Sequence, residues 1–164
     1  MILWAYFMSS TEVGLKGILR WPLIVAAIVV VLRVVTERAG LPDTVNNLLS
    51  VAVLHTLLVP LYFAIRIGNN GVSRPYATLF KLVAVYAVLT RLMIIPTYWL
   101  ARVYEWTQPR FAGTWGPDVN PFVGYVGVPF VTAAFWIVAS IVIGGAIGSI
   151  VIAFSRRRLA GSHS

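Results

Sequence analysis

Residues 79–101 read LFKLVAVYAVLTRLMIIPTYWLA, 23 residues apolar enough to cross a bilayer yet carrying Arg91 at their centre. At a rise of about 1.5 Å per residue such a helix covers roughly 35 Å, more than a hydrocarbon core of about 30 Å. Arg91 then falls near the midplane, where a charged side chain costs about 2.5–3.5 kcal/mol. The fold has to supply something that compensates it.

The rest of the chain has the same character. Hydrophobic residues make up 59% and charged residues 11% of 164 residues, whereas soluble domains carry about 25% charged residues. The chain therefore reads as an integral membrane protein, a single membrane domain over 1–164 with room for four spans. Cysteine is absent, which excludes disulfides, thiolate metal sites and thiol catalysis. The net charge of +8 would point to nucleic acid in a soluble protein, but here the basic residues are spread between apolar runs. Membrane topology accounts for them and no nucleic-acid partner is expected. Met1–Met8 has no basic segment of the kind that opens a signal peptide, so the first long apolar run is read as a retained span.

Apolar runs and turn residues place the spans at about 21–35, 47–67, 79–101 and 129–154. Gly40 and Pro42 close the first hairpin, and Gly68-Asn69-Asn70-Gly71 the second. The expected fold is all-α, an integral membrane four-helix up-down-up-down bundle. An amphipathic N-terminal lead-in helix precedes it at 9–20: Ser9 and Glu12 have capping-box spacing, and Glu12, Lys16 and Arg20 share a face. Pro22 suits a helix start, so a break is expected at Trp21. Pro60 removes the donor to the Thr56 carbonyl and Pro96 the donor to that of Leu92, so kinks are expected in the second and third spans.

Lys16, Arg20, Arg66, Arg74, Lys81 and Arg156 to Arg158, eight cations, fall on one side of the membrane, while Arg33, Arg38, Arg102 and Arg110 fall on the other. By the positive-inside rule both termini are cytoplasmic in a cell (cytoplasmic or inner) membrane, and the 102–121 loop lies outside.

Arg91 has no carboxylate at its own depth, since none occurs between Asp43 and Glu105. Three compensations are open: hydroxyls and the proline-freed carbonyls, water in a cavity, or an anionic group from a ligand or partner subunit. A polar core or ligand site would combine Arg91 with Thr90, Thr97 and Tyr98 of the same span and with His55 and Tyr62 of the second. No cofactor is predicted. His55 is the one span residue able to ligate haem or a chlorin, and with an apolar slot it could serve a quinone; the plainer alternative is a core histidine bonded to a neighbour.

The connection 102–121 is far longer than the 2–8 residues usual in bundles. Tyr98, Trp99, Tyr104 and Trp106 suit an interfacial belt. Arg102, Glu105, Arg110 and Asp118, pairing among themselves around Trp115, would make it a lid. Ser140, Gly144 and Gly148 repeat at four-residue spacing, a helix-packing stripe or a homo-oligomer face on span four.

No phosphate loop, zinc-protease motif or plausible triad is present. The function expected is a non-catalytic accessory subunit or lipid/quinone-binding module of a membrane assembly, with the bilayer and other membrane subunits as partners. The alternative is a small transporter or channel with Arg91 and His55 lining a polar path. Haem or pigment binding through His55 comes third.

Overall fold

The computed structural model describes residues 12–48, 51–70 and 72–161. The cap expected at Ser9 lies outside them. Among the described residues every regular element is helical. Four helices are long and apolar enough to span a membrane: Gly17–Arg38, Thr44–Asn69, Pro75–Val103 and Val123–Arg156.

The first span belongs to α1 (Glu12–Arg38), which runs through Pro22 without a break. A proline ring costs a helix one hydrogen bond, here to the Ile18 carbonyl, and the helix carries that single loss in its interior. The expected boundary at Trp21 is therefore absent: Glu12–Arg20 is continuous with the helix whose Gly17–Arg38 stretch is long and apolar enough to span. After the hairpin come α2 (Asp43–Leu48), α3 (Val51–Val53), a π-helical segment Leu54–Leu58 and α4 (Val59–Asn69). The backbone answers Pro60 by widening: the Val59 N–H bonds to the Leu54 carbonyl, five residues back.

The third span, α5 (Pro75–Val103), begins four residues earlier than residue 79 because Pro75 occupies a first-turn position. It remains one helix through Pro96. The fourth span starts earlier still, at a π-helical Val123–Gly127, and continues through α6 (Val128–Ala139), a π-helical Ser140–Gly144 and α7 (Gly145–Gly161). Pro129 cannot donate to the Tyr125 carbonyl, which instead accepts the indole N–H of Trp99 at 2.9 Å.

The third span touches the other three, and the second packs closely on the fourth. Buried apolar side chains form two clusters. One gathers Phe63, Ala64, Ile67, Leu79, Leu82, Val83 and Tyr86 near the turn at 69–75. The other gathers Val30, Val51, Ile94, Tyr98, Trp106 and Phe111 beneath the long loop. Between them lie buried His55, Thr90, Arg91 and Ser140, so the core is two apolar halves separated by a polar layer.

The small-residue stripe of span four is used within the chain. A Cβ at Gly144 would sit 2.6 Å from Pro60 Cγ, and one at Gly148 would sit 2.8 Å from Leu79 Cδ2. Ser140 is fully buried. The stripe thus seats the fourth span on the second and third.

Gly144→Ala should lower stability in detergent by about 1–3 kcal/mol, because the rigid Pro60 ring cannot yield. Gly17→Ala, whose Cβ meets nothing within 4 Å, should be neutral or raise stability by up to about 1 kcal/mol. Thermal unfolding of the two variants checks the opposite signs, and equal shifts would contradict the packing.

Candidate functional site

Arg91 is 6% exposed and lines a cleft of about 330 Å³ with Val30, Arg33, Asn47, Val51, Ala52, Val53, Ile94, Tyr98, Arg110 and Trp136. The cleft gathers three guanidiniums, one from the first span, one from the third and one from the loop. Arg33 stands five residues before the end of α1, about 7.5 Å, and Arg91 stands twelve before the end of α5, about 18 Å. The positive charges therefore descend from the loop into the bundle.

A single carboxylate answers them. Glu37 receives Arg33 Nε on Oε1 at 2.9 Å and Arg110 Nη2 on Oε2 at 2.8 Å. Both its oxygens are ion-paired, Oε1 with a hydrogen bond and Oε2 without one, and its side chain is 6% exposed. Burial pushes the Arg110 guanidinium below its ordinary pKa, and Glu37 opposes that effect by favouring the charged form. Gln108 adds a long contact from its amide to the Glu37 carbonyl, 3.4 Å. The loop is thus pinned to the first span through Glu37.

Arg91 has no such partner. Among the described residues none lies within ion-pair distance of it, and its Nε is buried without a hydrogen bond. Its guanidinium carbon instead stands 5.4 Å from the centre of the Trp136 ring. A desolvated cation–π contact contributes about 2 kcal/mol, less than the insertion cost of the charge. This partner was not among the compensations foreseen; Thr56, whose carbonyl was, donates its hydroxyl to the Ala52 carbonyl at 2.8 Å.

His55 lies beside this site but does not line the cleft. Its Nε2 is 2.6 Å from Thr90 Oγ1 and its Nδ1 is 3.3 Å from Ser140 Oγ. Thr90 also donates to the Tyr86 carbonyl at 2.7 Å, and Ser140 to that of Trp136 at 2.6 Å. The ring N–H donates to one of these hydroxyls, which keeps its carbonyl bond, and the bare ring nitrogen accepts from the other only when that hydroxyl turns its single proton away from its carbonyl. One imidazole thereby ties the second, third and fourth spans together, with the Tyr86 ring 5.0 Å away. The two π-helical segments, Leu54–Leu58 and Ser140–Gly144, meet at this contact.

Of the six polar-core candidates, Arg91 and Tyr98 share the cleft, and Thr90 belongs to the His55 contact. Thr97 donates to the Ile94 carbonyl of its own helix at 2.7 Å. Tyr62 packs against the other apolar cluster, with Arg66 5.5 Å above its ring. The residues not foreseen in the site are Arg33, Asn47, Arg110 and Trp136, with Glu37 behind them. The spacing of Arg33 and Glu37 was visible as an i, i+4 pair; what was invisible is that the loop lays Arg110 on the same carboxylate.

The loop is ordered, but not by ion pairs among its own charges. Among the described residues neither Glu105 nor Asp118 forms a salt bridge. Arg102 donates to the carbonyls of Thr114 and Val119 and lies over the Tyr125 ring at 4.9 Å. Trp115 donates its indole N–H to the Trp106 carbonyl at 2.7 Å. Phe111 is the anchor, 1% exposed and edge-on to Tyr98 at 5.2 Å. Trp106, expected in a belt, is buried beside it. A second, wider depression of about 670 Å³ runs past Arg102, Glu105, Trp115 and Tyr125, but Arg102, its one cation, is already bonded.

Comparison of the chain with protein-family models, curated proteins and solved structures finds no match. The site therefore stands on its geometry.

Glu37→Gln should cost about 3 kcal/mol, since it leaves two partly buried guanidiniums without their carboxylate. It should also release the loop, read as faster hydrogen exchange over 106–112. Asp118→Asn, which breaks no ion pair, should stay within about 0.5 kcal/mol of the parent.

Proposed function

We propose that this protein is a non-catalytic multi-pass membrane protein whose arginine cleft binds an anionic amphiphile, and that it serves as a lipid-binding module or accessory subunit of a membrane assembly. One observation carries the proposal: a guanidinium buried at mid-span, its Nε unpaired, opening on a cleft lined by two further arginines, which among the described residues share one carboxylate, Glu37. Burying an unpaired charge is costly, and an anionic occupant removes that cost. A neutral quinone, accepting a hydrogen bond but carrying no charge, would leave most of it in place.

The arrangement in the membrane that goes with this function is an up-down-up-down bundle in the cytoplasmic or inner membrane. Both termini are cytoplasmic and the loop over the cleft lies on the outer face, as the distribution of Lys and Arg favours. The amphiphile then enters from the outer half. Against a through-path for ions stands the cluster of Phe63, Leu79, Leu82, Val83 and Tyr86, packed below the polar layer with exposures of 0–2%. His55 acts as a tie between helices and not as a ligand, its two nitrogens already facing hydroxyls.

Arg91→Met tests this directly. Replacing an uncompensated buried charge by an apolar side chain of similar length should leave the empty protein as stable as the parent or more stable, by about 0–2 kcal/mol. The same change should abolish co-purification of anionic amphiphile, read by native mass spectrometry after mild extraction. A parent that carries no amphiphile, or a variant destabilised by several kcal/mol, would overturn the proposal.

A further inference from the structure

We propose that the cleft is built for a phosphate dianion carried on a lipid chain, a phosphomonoester, in preference to a singly charged headgroup. This rests on the amphiphile-binding function proposed above and specifies its ligand. Arg33, Arg91 and Arg110 line the cleft, and among the described residues the one carboxylate ion-paired to any of them is Glu37, which stands behind the lining, a surplus of two positive charges. A carboxylate or a phosphodiester brings one negative charge, whereas a phosphomonoester brings about −1.5 to −2 at neutral pH. Only the last comes close to neutralising the surplus.

The donors point the same way. Glu37 pairs through one oxygen with Arg33 and through the other with Arg110, and forms no ion pair with Arg91. An occupant that serves Arg91 while also meeting the free N–H groups of its neighbours needs more acceptors than a carboxylate has. A phosphomonoester presents three terminal oxygens, and guanidinium forks match phosphate geometry. Tyr98 and Asn47 add hydrogen-bonding side chains to the same walls. The Arg91 side chain, nine-tenths buried with its Nε unpartnered and lining the cleft, is the group the ligand completes.

The walls explain why the phosphate is lipid-borne. Val30, Val51, Val53 and Ile94 give the cleft an apolar side. Val53 both lines it and is 40% exposed on the surface of the bundle. It lies nine residues into the second span, about 14 Å from the start of that helix. The cleft thus reaches the bundle surface at hydrocarbon depth, where an acyl or prenyl chain can leave sideways. A volume of about 330 Å³ holds a headgroup and the first carbons and no more, so the chain has to lie outside.

The test compares lipids that share a backbone. Full-length protein is reconstituted in neutral phosphatidylcholine nanodiscs doped with equal amounts of phosphatidic acid, phosphatidylglycerol or oleate, and retained lipid is read by native mass spectrometry. Phosphatidic acid should be retained about tenfold more than the two monoanions. Arg33→Gln, which leaves Arg91 in place, should reduce that preference to about twofold while keeping anionic lipid bound. A parallel arm adds inorganic phosphate to the protein in detergent and follows thermal stability.

Equal retention of the three anions would overturn the phosphomonoester assignment and leave the amphiphile-binding function standing. Stabilisation by inorganic phosphate without retention of phosphatidic acid would keep the dianion but overturn its lipid source. Retention of none would overturn both. Arg33→Gln protein that fails to remain monodisperse is replaced by Asn47→Leu, which removes a polar wall residue and should reduce retention of phosphatidic acid severalfold; unchanged retention would count against the assignment.

Discussion

A carboxylate has two oxygens, and in this protein both oxygens of Glu37 are taken, one by Arg33 and one by Arg110. Everything distinctive about the structure follows from where that leaves Arg91. Arg110 ties the loop to Glu37 near the end of the first span, and Phe111 beside it enters the apolar cluster beneath. The third arginine is enclosed by the same closure yet receives no share of the charge that produced it. Its Trp136 contact lowers the cost of burial without removing it.

Two of the three π segments lie at the polar layer. A π segment adds a residue to one turn and so re-aims the side chains around it. The second and fourth spans both widen at the level where His55 meets Ser140. Thr90 completes the contact from the third span. Close approach at Gly144 and Gly148 follows on the side of the other apolar cluster, where backbone and Pro60 are nearly in contact. The tie and the stripe hold three spans in register, and the first span packs mainly on the third.

The architecture was largely legible in the sequence, since it depends on run length, turn residues and composition, which are local. The four spans, their order and the internal position of Arg91 needed nothing more. Helix ends were misplaced at three prolines: Pro22 stops nothing, Pro75 starts a helix early, and Pro129 sits behind a π segment that begins the fourth span at Val123. A proline marks a lost donor, but whether the helix breaks depends on what satisfies the freed carbonyl, as Trp99 does for Tyr125. The site was half legible. Arg91 and Tyr98 announce themselves by a charge and a hydroxyl in an apolar run. Trp136 looks like any lipid-facing aromatic, and Arg110 like a solvated loop charge, until the chain folds them onto one cleft. Long-range pairings of this kind leave no local spacing to find.

The central claim is that Arg91 is completed by something outside this chain, and its most direct test is a structure determined in lipid at a resolution that shows the guanidinium and its surroundings. The account predicts non-protein density with acceptor atoms about 2.7–3.0 Å from the Arg91 nitrogens, continuous with an extended chain leaving past Val53. A guanidinium bonded only to carbonyls and hydroxyls of its own chain, with no density in the cleft, would contradict it.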